Sequence, residues 1–235
     1  MKMRDKIIGI IGGMGPEATV DVFSKIVAAT PSRKDQDHLR VIIDNNPKVP
    51  SRFTFIMGDG EDPLPVLIGM AEKLERYGAD FLVIPCNAAH HFYDQIQERV
   101  GIPVLHIARE TRRHLESINP MPERVGLMAS GSTVKSGVYQ KAFQGSGIQL
   151  VLPESKDQQI ISEAIYSFKQ RIRGRRIKRE LMEVAQSLAN AGAQGIILGC
   201  TELPLILGKS RGSPIIFVDA NQVLAQAAVR MARNS

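Results

Sequence analysis

The chain holds two cysteines, Cys86 and Cys200. Neither has a second Cys or His at the spacing of a metal site, and a disulfide is not the expected state inside a cell. Each closes a short apolar run that opens on Gly-Ala. The runs are Gly78-Ala-Asp-Phe-Leu-Val-Ile-Pro-Cys86 and Gly192-Ala-Gln-Gly-Ile-Ile-Leu-Gly-Cys200, 114 positions apart. A lone buried cysteine is an inert small hydrophobe. Two of them at equivalent strand ends have another use, because a thiolate is a competent base near neutral pH and a thiol a competent acid. Set on opposite sides of one cleft, they address the two faces of a single carbon. Backbone N–H groups and the positive dipole end of a following helix favour thiolate and hold a carboxylate.

The elements that must position these thiols read as α/β. Apolar runs at Lys6–Ile11, Leu39–Asp44, Phe81–Pro85 and Pro103–Ile107 are expected strands. Helical patterns at Pro16–Ala29, Leu64–Tyr77 and Ala89–Val100 separate them. Further strands are expected at Arg124–Ala129, Ile148–Leu152, Gly195–Gly199 and Pro214–Val218. Continuous Val/Ile/Leu runs between helices indicate parallel sheets covered on both faces, with ligands beyond the carboxyl ends of the strands. Two more segments repeat in the same order as the cysteine runs. Ile8-Gly-Ile-Ile-Gly12 matches Val125-Gly-Leu-Met-Ala129 at an offset of 117, and Gly101-Ile-Pro-Val-Leu-His-Ile107 matches Gly212-Ser-Pro-Ile-Ile-Phe-Val218 at 111. Three matches in register describe a duplicated unit of about 115 residues.

Composition bounds the rest. With 235 residues, 43% of them apolar and 23% charged, the chain has the make-up of an ordinary globular protein rather than a disordered or fibrous one. It has no apolar stretch long enough to span a membrane. Ile7–Ile11 breaks at once into Gly12-Gly-Met-Gly-Pro-Glu, so it reads as a buried first strand rather than a leader, and the expected location is the cytoplasm. The formal net charge of +6 comes from one run, Arg171-Ile-Arg-Gly-Arg-Arg-Ile-Lys-Arg179; the remainder balances at 24 basic and 24 acidic residues. A solvated loop leading into a helix explains that run, with a funnel for an anionic substrate or a nucleic-acid contact as the sharper alternatives. Aromatic residues are 5% and Trp is absent, so there is little stacking surface for single-stranded nucleic acid and no nucleic-acid partner is expected. Gly13-Met-Gly-Pro-Glu-Ala18 is also a loose dinucleotide fingerprint. The acidic residue expected about 20 positions on falls at Asp35–Asp37, before the second strand, and a nucleotide-binding domain leaves the duplicated cysteines unexplained.

Three segments together resemble the cofactor-independent aspartate/glutamate racemases, nearest the aspartate branch: Gly12-Gly-Met-Gly-Pro-Glu-Ala-Thr19, Pro85-Cys-Asn-Ala-Ala-His90 and Gly199-Cys-Thr-Glu-Leu-Pro-Leu205. The resemblance implies two pseudo-symmetric flavodoxin-like α/β domains with the active site between them. The C-terminal helix then returns to the first, giving residues 1–102 with 212–235 as one domain and 103–211 as the other. It implies Cys86 and Cys200 as the proton donor/acceptor pair, and interconversion of L- and D-aspartate, with glutamate or other amino acids as weaker substrates. It implies no cofactor and no metal, a small acidic amino acid as ligand, and a homodimer. Asn87, Thr201 and backbone amides are then expected at the amino-acid head, and Arg52 and Lys169 at carboxylates. Met14, Ala88, Ala89, Ser130, Thr133 and Glu202 complete the expected lining. Glu202 stands where glutamate racemases carry His. Ala88 stands where the family usually has Thr, which removes a hydroxyl from the head-group site, and Ser130 where Thr is commoner. A hydantoin racemase or maleate isomerase of the same superfamily is the alternative. His90 and His91 are read as capping or surface residues.

Overall fold

The computed structural model describes residues 5–208 and 215–233. The first half runs β1 (Ile8–Gly12), α1 (Pro16–Ala29), β2 (Val41–Asn45), α2 (Arg52–Met57), α3 (Leu64–Arg76), β3 (Phe81–Val83), a 3-10 turn at Ala88–Phe92, α4 (Tyr93–Gln97) and β4 (Val104–Leu105). The second half runs α5 (Ile107–Glu116), β5 (Arg124–Met128), α6 (Gly131–Ser136), α7 (Val138–Phe143), β6 (Gln149–Val151), α8 (Ser155–Lys169), α9 (Arg175–Asn190), β7 (Gly195–Leu198), α10 (Leu203–Leu207), β8 (Phe217–Asp219) and α11 (Ala220–Arg233).

The strands form two parallel four-stranded sheets in the same order, β2-β1-β3-β4 and β6-β5-β7-β8. The repeat is therefore structural: β1 corresponds to β5, β3 to β7 and β4 to β8. Every residue of β1, β3 and β7 is buried, as parallel strands covered on both faces require. One face of the first sheet packs Ile8, Ile10, Phe81 and Val83 against Val22 and Ile26 of α1 and Leu224, Ala225 and Ala228 of α11. The other packs Ile11, Leu82 and Ile84 against Leu67, Met70 and Leu74 of α3. The second sheet is covered likewise, with Val125, Leu127 and Ile197 on α5 and α7, and Met128, Ile196 and Leu198 on α8 and α9.

The chain crosses between the sheets twice, each time one strand later than expected. Val104–Leu105 pairs with β3 in the first sheet, although 103 onward is expected in the second domain. Phe217–Asp219 pairs with β7 in the second sheet, although 212 onward is expected in the first. The expected return at 212 itself lies outside the described residues; the observed return begins at Ala220, with α11. That crossing is braced by Lys25 of α1, whose Nζ lies 2.5 Å from Asp21 and 2.6 Å from Asp219. Asp219 also caps the next helix by accepting from the Asn221 and Gln222 N–H groups. The basic run is largely a solvated helix start, as the simpler reading has it: Arg176 and Arg179 pair with Glu180 and Glu183 on α9. Arg173 is the exception. It reaches Glu17 of α1 in the other half and stacks over the Phe168 ring.

Candidate active site

The carboxyl ends of β1 and β3 face those of β5 and β7 around a cavity of about 600 Å³. Cys86 follows β3 and Cys200 follows β7, and both free thiols line this cavity. The expected lining residues Met14, Arg52, Asn87, Ala88, Ser130, Thr133, Lys169, Thr201 and Glu202 are all in its wall. Ala89 is not. In the 3-10 turn it is fully buried in the apolar core of the first half.

Local structure explains the placements. Met14 sits in the β1–α1 loop, which passes so close to Asn46 that a Cβ at Gly13 would lie 2.3 Å from the Asn46 backbone; with φ +93° as well, that position demands glycine. Thr19 fastens the loop by accepting the Gly13 N–H at 2.9 Å. Arg52 opens α2 behind its N-cap Ser51. Its Nη1 donates to the Val49 and Pro50 carbonyls, while its Nε is buried with no hydrogen-bond partner among the described residues. Ser130 caps α6 by accepting the Thr133 N–H, and its hydroxyl also meets those of Ser132 and Thr133. Ser130 thus does the N-capping work that threonine also does.

The two thiols have different neighbours. Cys200 Sγ donates to Glu202 Oε2 at 2.9 Å, and Thr201 Oγ1 donates to the same oxygen at 3.2 Å. Glu202 is 5% exposed, and its other oxygen lies 3.3 Å from Lys169 Nζ. Burial, then the Glu202 carboxylate, pushes the Cys200 thiol well above its ordinary range, against the pull of Lys169. Lys169 is held above its ordinary value in turn: burial works to lower it, and the Glu202 carboxylate, with the two cysteine sulfurs nearby, outweighs that. Position 88, the counterpart of Glu202 in the repeat, is alanine, so Cys86 has no such carboxylate beside it in its own loop.

Of the capping or surface roles expected for His90, the surface one is corrected: the ring is buried and bonds the first amide of α5. It is 3% exposed, and its Nδ1 lies 2.9 Å from the Cys86 carbonyl oxygen. Its Nε2 accepts the Ile107 N–H at 3.1 Å, so the ring proton sits on Nδ1 and is donated to Cys86. Burial drives its pKa down to about 4 despite the bond to the Cys86 carbonyl, and the ring stays neutral. His91 is exposed, as expected.

Sequence reasoning missed one wall of the cavity. Ser162, Ile165 and Tyr166 line it from α8, on the helical face that Lys169 continues. Stepping back from Lys169 by three, four and seven residues recovers them. Phe53 and Thr54 of α2 face them from the first half. Tyr139 was also missed; its hydroxyl donates to Asn87 Oδ1 at 2.7 Å.

Residues 11–228 match the family model described as Asp/Glu/Hydantoin racemase. The chain is 29% identical over 231 residues to the broad specificity amino-acid racemase RacX of Bacillus subtilis (strain 168), covering 95% of this chain and 96% of that one. It is similar in structure to the aspartate racemase of Picrophilus torridus, with TM-score 0.81 and 28% identity over 97% of this chain and 94% of the other. An aspartate racemase homologue from Pyrococcus horikoshii OT3 shares the fold, with TM-score 0.77 and 23% identity over 97% and 99% of the two chains. Two matching sheets, a cysteine at the same strand end of each and a family match spanning nearly the whole chain make this protein a member of the Asp/Glu/hydantoin racemase family.

Proposed function

We propose that the protein interconverts L- and D-aspartate, and more weakly other amino acids, by two-base proton transfer between Cys86 and Cys200. The observation that carries this reading is the pair of buried thiols lining one cavity from the ends of two different sheets. Asn87 and Arg52 line this cavity, and each has a buried donor, Nδ2 and Nε, with no partner among the described residues, which supports carboxylate binding there. Cys200, whose thiol is bonded to Glu202, is assigned as the proton donor and Cys86 as the base of the pair. Cys86 takes the Cα proton from one face, and Cys200 delivers its own proton to the other. The enzyme is left with a Cys86 thiol and a Cys200 thiolate, and the reverse enantiomer runs from that state. Return to the starting state needs the Cys86 proton released to water and one taken up from water at Cys200, and Glu202, bonded to Cys200, is the group beside it that can relay that proton. Negative charge growing on the substrate carboxylate is taken up by Asn87 Nδ2 and nearby backbone N–H groups. The Thr201 hydroxyl already donates to Glu202, so its lone pairs are left to accept from a substrate ammonium.

The distal carboxylate of aspartate is assigned to Arg52 and Lys169. Lys169 is already paired with Glu202, and this favours a second reading in which side chains without charge are also taken. The racemase of B. subtilis named for broad specificity supports the same breadth. The family likeness supports a homodimer as the working form.

A panel of L-amino acids incubated in D₂O tests the proposal. Aspartate is expected to racemise fastest and to carry deuterium at Cα in the D-product. Cys86→Ala and Cys200→Ala are each expected to abolish turnover in both directions, and the double variant to lose little more, because the two groups act as one unit. Full racemisation by either single variant refutes the two-base mechanism. A panel with no preference for acidic side chains refutes the aspartate assignment.

A further inference from the structure

Asn87 is next to Cys86, and its amide has two ends with different fates. Oδ1 accepts the Tyr139 hydroxyl at 2.7 Å, while Nδ2 is buried with no partner among the described residues. Asn87 is 3% exposed and lines the cavity. Tyr139 does not line it. It is fully buried in α7, within the core of the second half, whereas Asn87 belongs to the loop after β3 of the first. The bond therefore spans the two halves.

The tyrosine ring is fixed as closely as its hydroxyl. A Cβ at Gly199, the residue before Cys200, would lie 3.2 Å from Tyr139 Cε2 and 2.8 Å from Leu127 Cδ1. Tyr139 thus fills the space that Gly199 leaves and touches both cysteine motifs, by its ring edge at one and by its hydroxyl at the other. We infer that Tyr139 is a positioning residue for the reaction: it locks the Asn87 amide with Nδ2 toward the substrate carboxylate and holds the two cysteine-bearing strand ends in register. The inference rests on the racemase reading above for the identity of what Nδ2 binds. Burial holds the tyrosine proton well above the ordinary phenol range, so the hydroxyl remains a donor at every working pH and Oδ1 remains its acceptor. With Oδ1 held by the tyrosine, the amide is oriented so that its unpartnered Nδ2 donors are the end left for a ligand.

Tyr139→Phe keeps the ring and removes the bond, and a double-mutant cycle with Asn87→Ala separates a role through Asn87 from a general one. With aspartate as substrate, Tyr139→Phe is expected to lower kcat/KM about tenfold, mostly through KM, which does not depend on the fraction of enzyme folded. In the Asn87→Ala background the same change is expected to cost less than about threefold. An unchanged KM in Tyr139→Phe, or a further tenfold loss in the double variant, overturns the inference. A second readout needs no substrate. The side-chain ¹⁵N–¹H pair of Asn87, assigned by its disappearance in Asn87→Asp, is expected to move toward free-amide shifts in Tyr139→Phe. A pair that stays in place overturns the lock. A wild type that racemises no amino acid refutes the proposed function while leaving the amide readout to judge Tyr139.

Discussion

Replacing Glu202 with Gln keeps the shape of the side chain and removes its charge. In the wild type that carboxylate accepts from Cys200 at 2.9 Å and Thr201 at 3.2 Å, and pairs with Lys169 at 3.3 Å. A hydrogen bond to a buried carboxylate is worth about 2 kcal/mol, and here it favours the thiol over the thiolate. Glutamine removes that preference, and Lys169, freed of its partner, then favours the thiolate as well. At 1.36 kcal/mol per decade, about 2 kcal/mol is roughly a thirtyfold rise in thiolate fraction at a pH where Cys200 is mostly protonated. A thiolate of lower pKa is also a weaker nucleophile, with a Brønsted slope near ~0.5, so the rate rises by about fivefold. The assay is alkylation by iodoacetamide at neutral pH, followed by intact mass. Cys86→Ser removes the other thiol, so that the Cys86→Ser and Cys86→Ser/Glu202→Gln proteins report Cys200 alone. An equal or slower rate in the double variant refutes the claim that Glu202 holds Cys200 as a thiol. In an otherwise wild-type enzyme, Glu202→Gln is expected to lower kcat/KM. The loss must be the same in both directions, since enantiomers have equal free energy in water; kcat and KM separately are free to differ.

Arg52→Ala is expected to raise KM for aspartate by about thirtyfold, near 2 kcal/mol for a carboxylate left without its partner. Lys169→Ala is expected to cost only about fivefold, because that side chain is 49% exposed and already paired. Equal losses with alanine as substrate refute a role for either at the distal carboxylate. Stability is expected to fall on acidification through His90. Its pKa is about 4 in the folded protein and 6.5 in the unfolded chain, so the unfolded state takes up the proton first. The contribution is complete above pH 6.5 and is lost toward pH 4, by about 3 kcal/mol. A urea midpoint that does not move between pH 7 and pH 4.5 refutes the neutral buried ring. Light scattering at micromolar concentration is expected to give twice the 25.9 kDa chain mass, and a particle of single-chain mass refutes the dimer.

How much of this was legible in the sequence depended on the length of each signal. Ile8–Ile11, Phe81–Ile84 and Gly195–Leu198 declare themselves because strands buried on both faces cannot carry polar residues. β4 has only two residues, so its sheet is decided by pairing with β3, which no periodicity records. The same holds for Phe217–Asp219, and the domain bounds shifted by one strand for this reason. The single helix expected over Ala89–Val100 is broken into a 3-10 turn and α4. His90 lies in that turn, bonded both to the Cys86 carbonyl and to the Ile107 amide. The cysteines were legible because the duplication marked them twice. Tyr139 was not, because a tyrosine in a six-residue helix has no pattern around it, and its partner Asn87 lies 52 positions away in the other half.

The two halves are alike in what they must share and unlike in what they must not. The proposed two-base reaction needs two groups on opposite sides of one carbon, and the duplicated unit puts a cysteine at each of two equivalent strand ends. If the two thiols were chemically identical, like charges would resist the thiolate–thiolate state, and neither thiol would be marked as the resting donor. The divergence at one repeat position removes that degeneracy. Ala88 leaves the Cys86 loop without a carboxylate, while Glu202 bonds the Cys200 thiol and is itself balanced by Lys169. The same position thus accounts both for the head-group hydroxyl missing at Ala88 and for the proton held at Cys200. Ala88→Glu sharpens the argument into a test, since a second carboxylate would hold both thiols protonated and leave no base for either enantiomer. An Ala88→Glu enzyme that folds and racemises at the wild-type rate would show that the asymmetry between the motifs has no part in turnover.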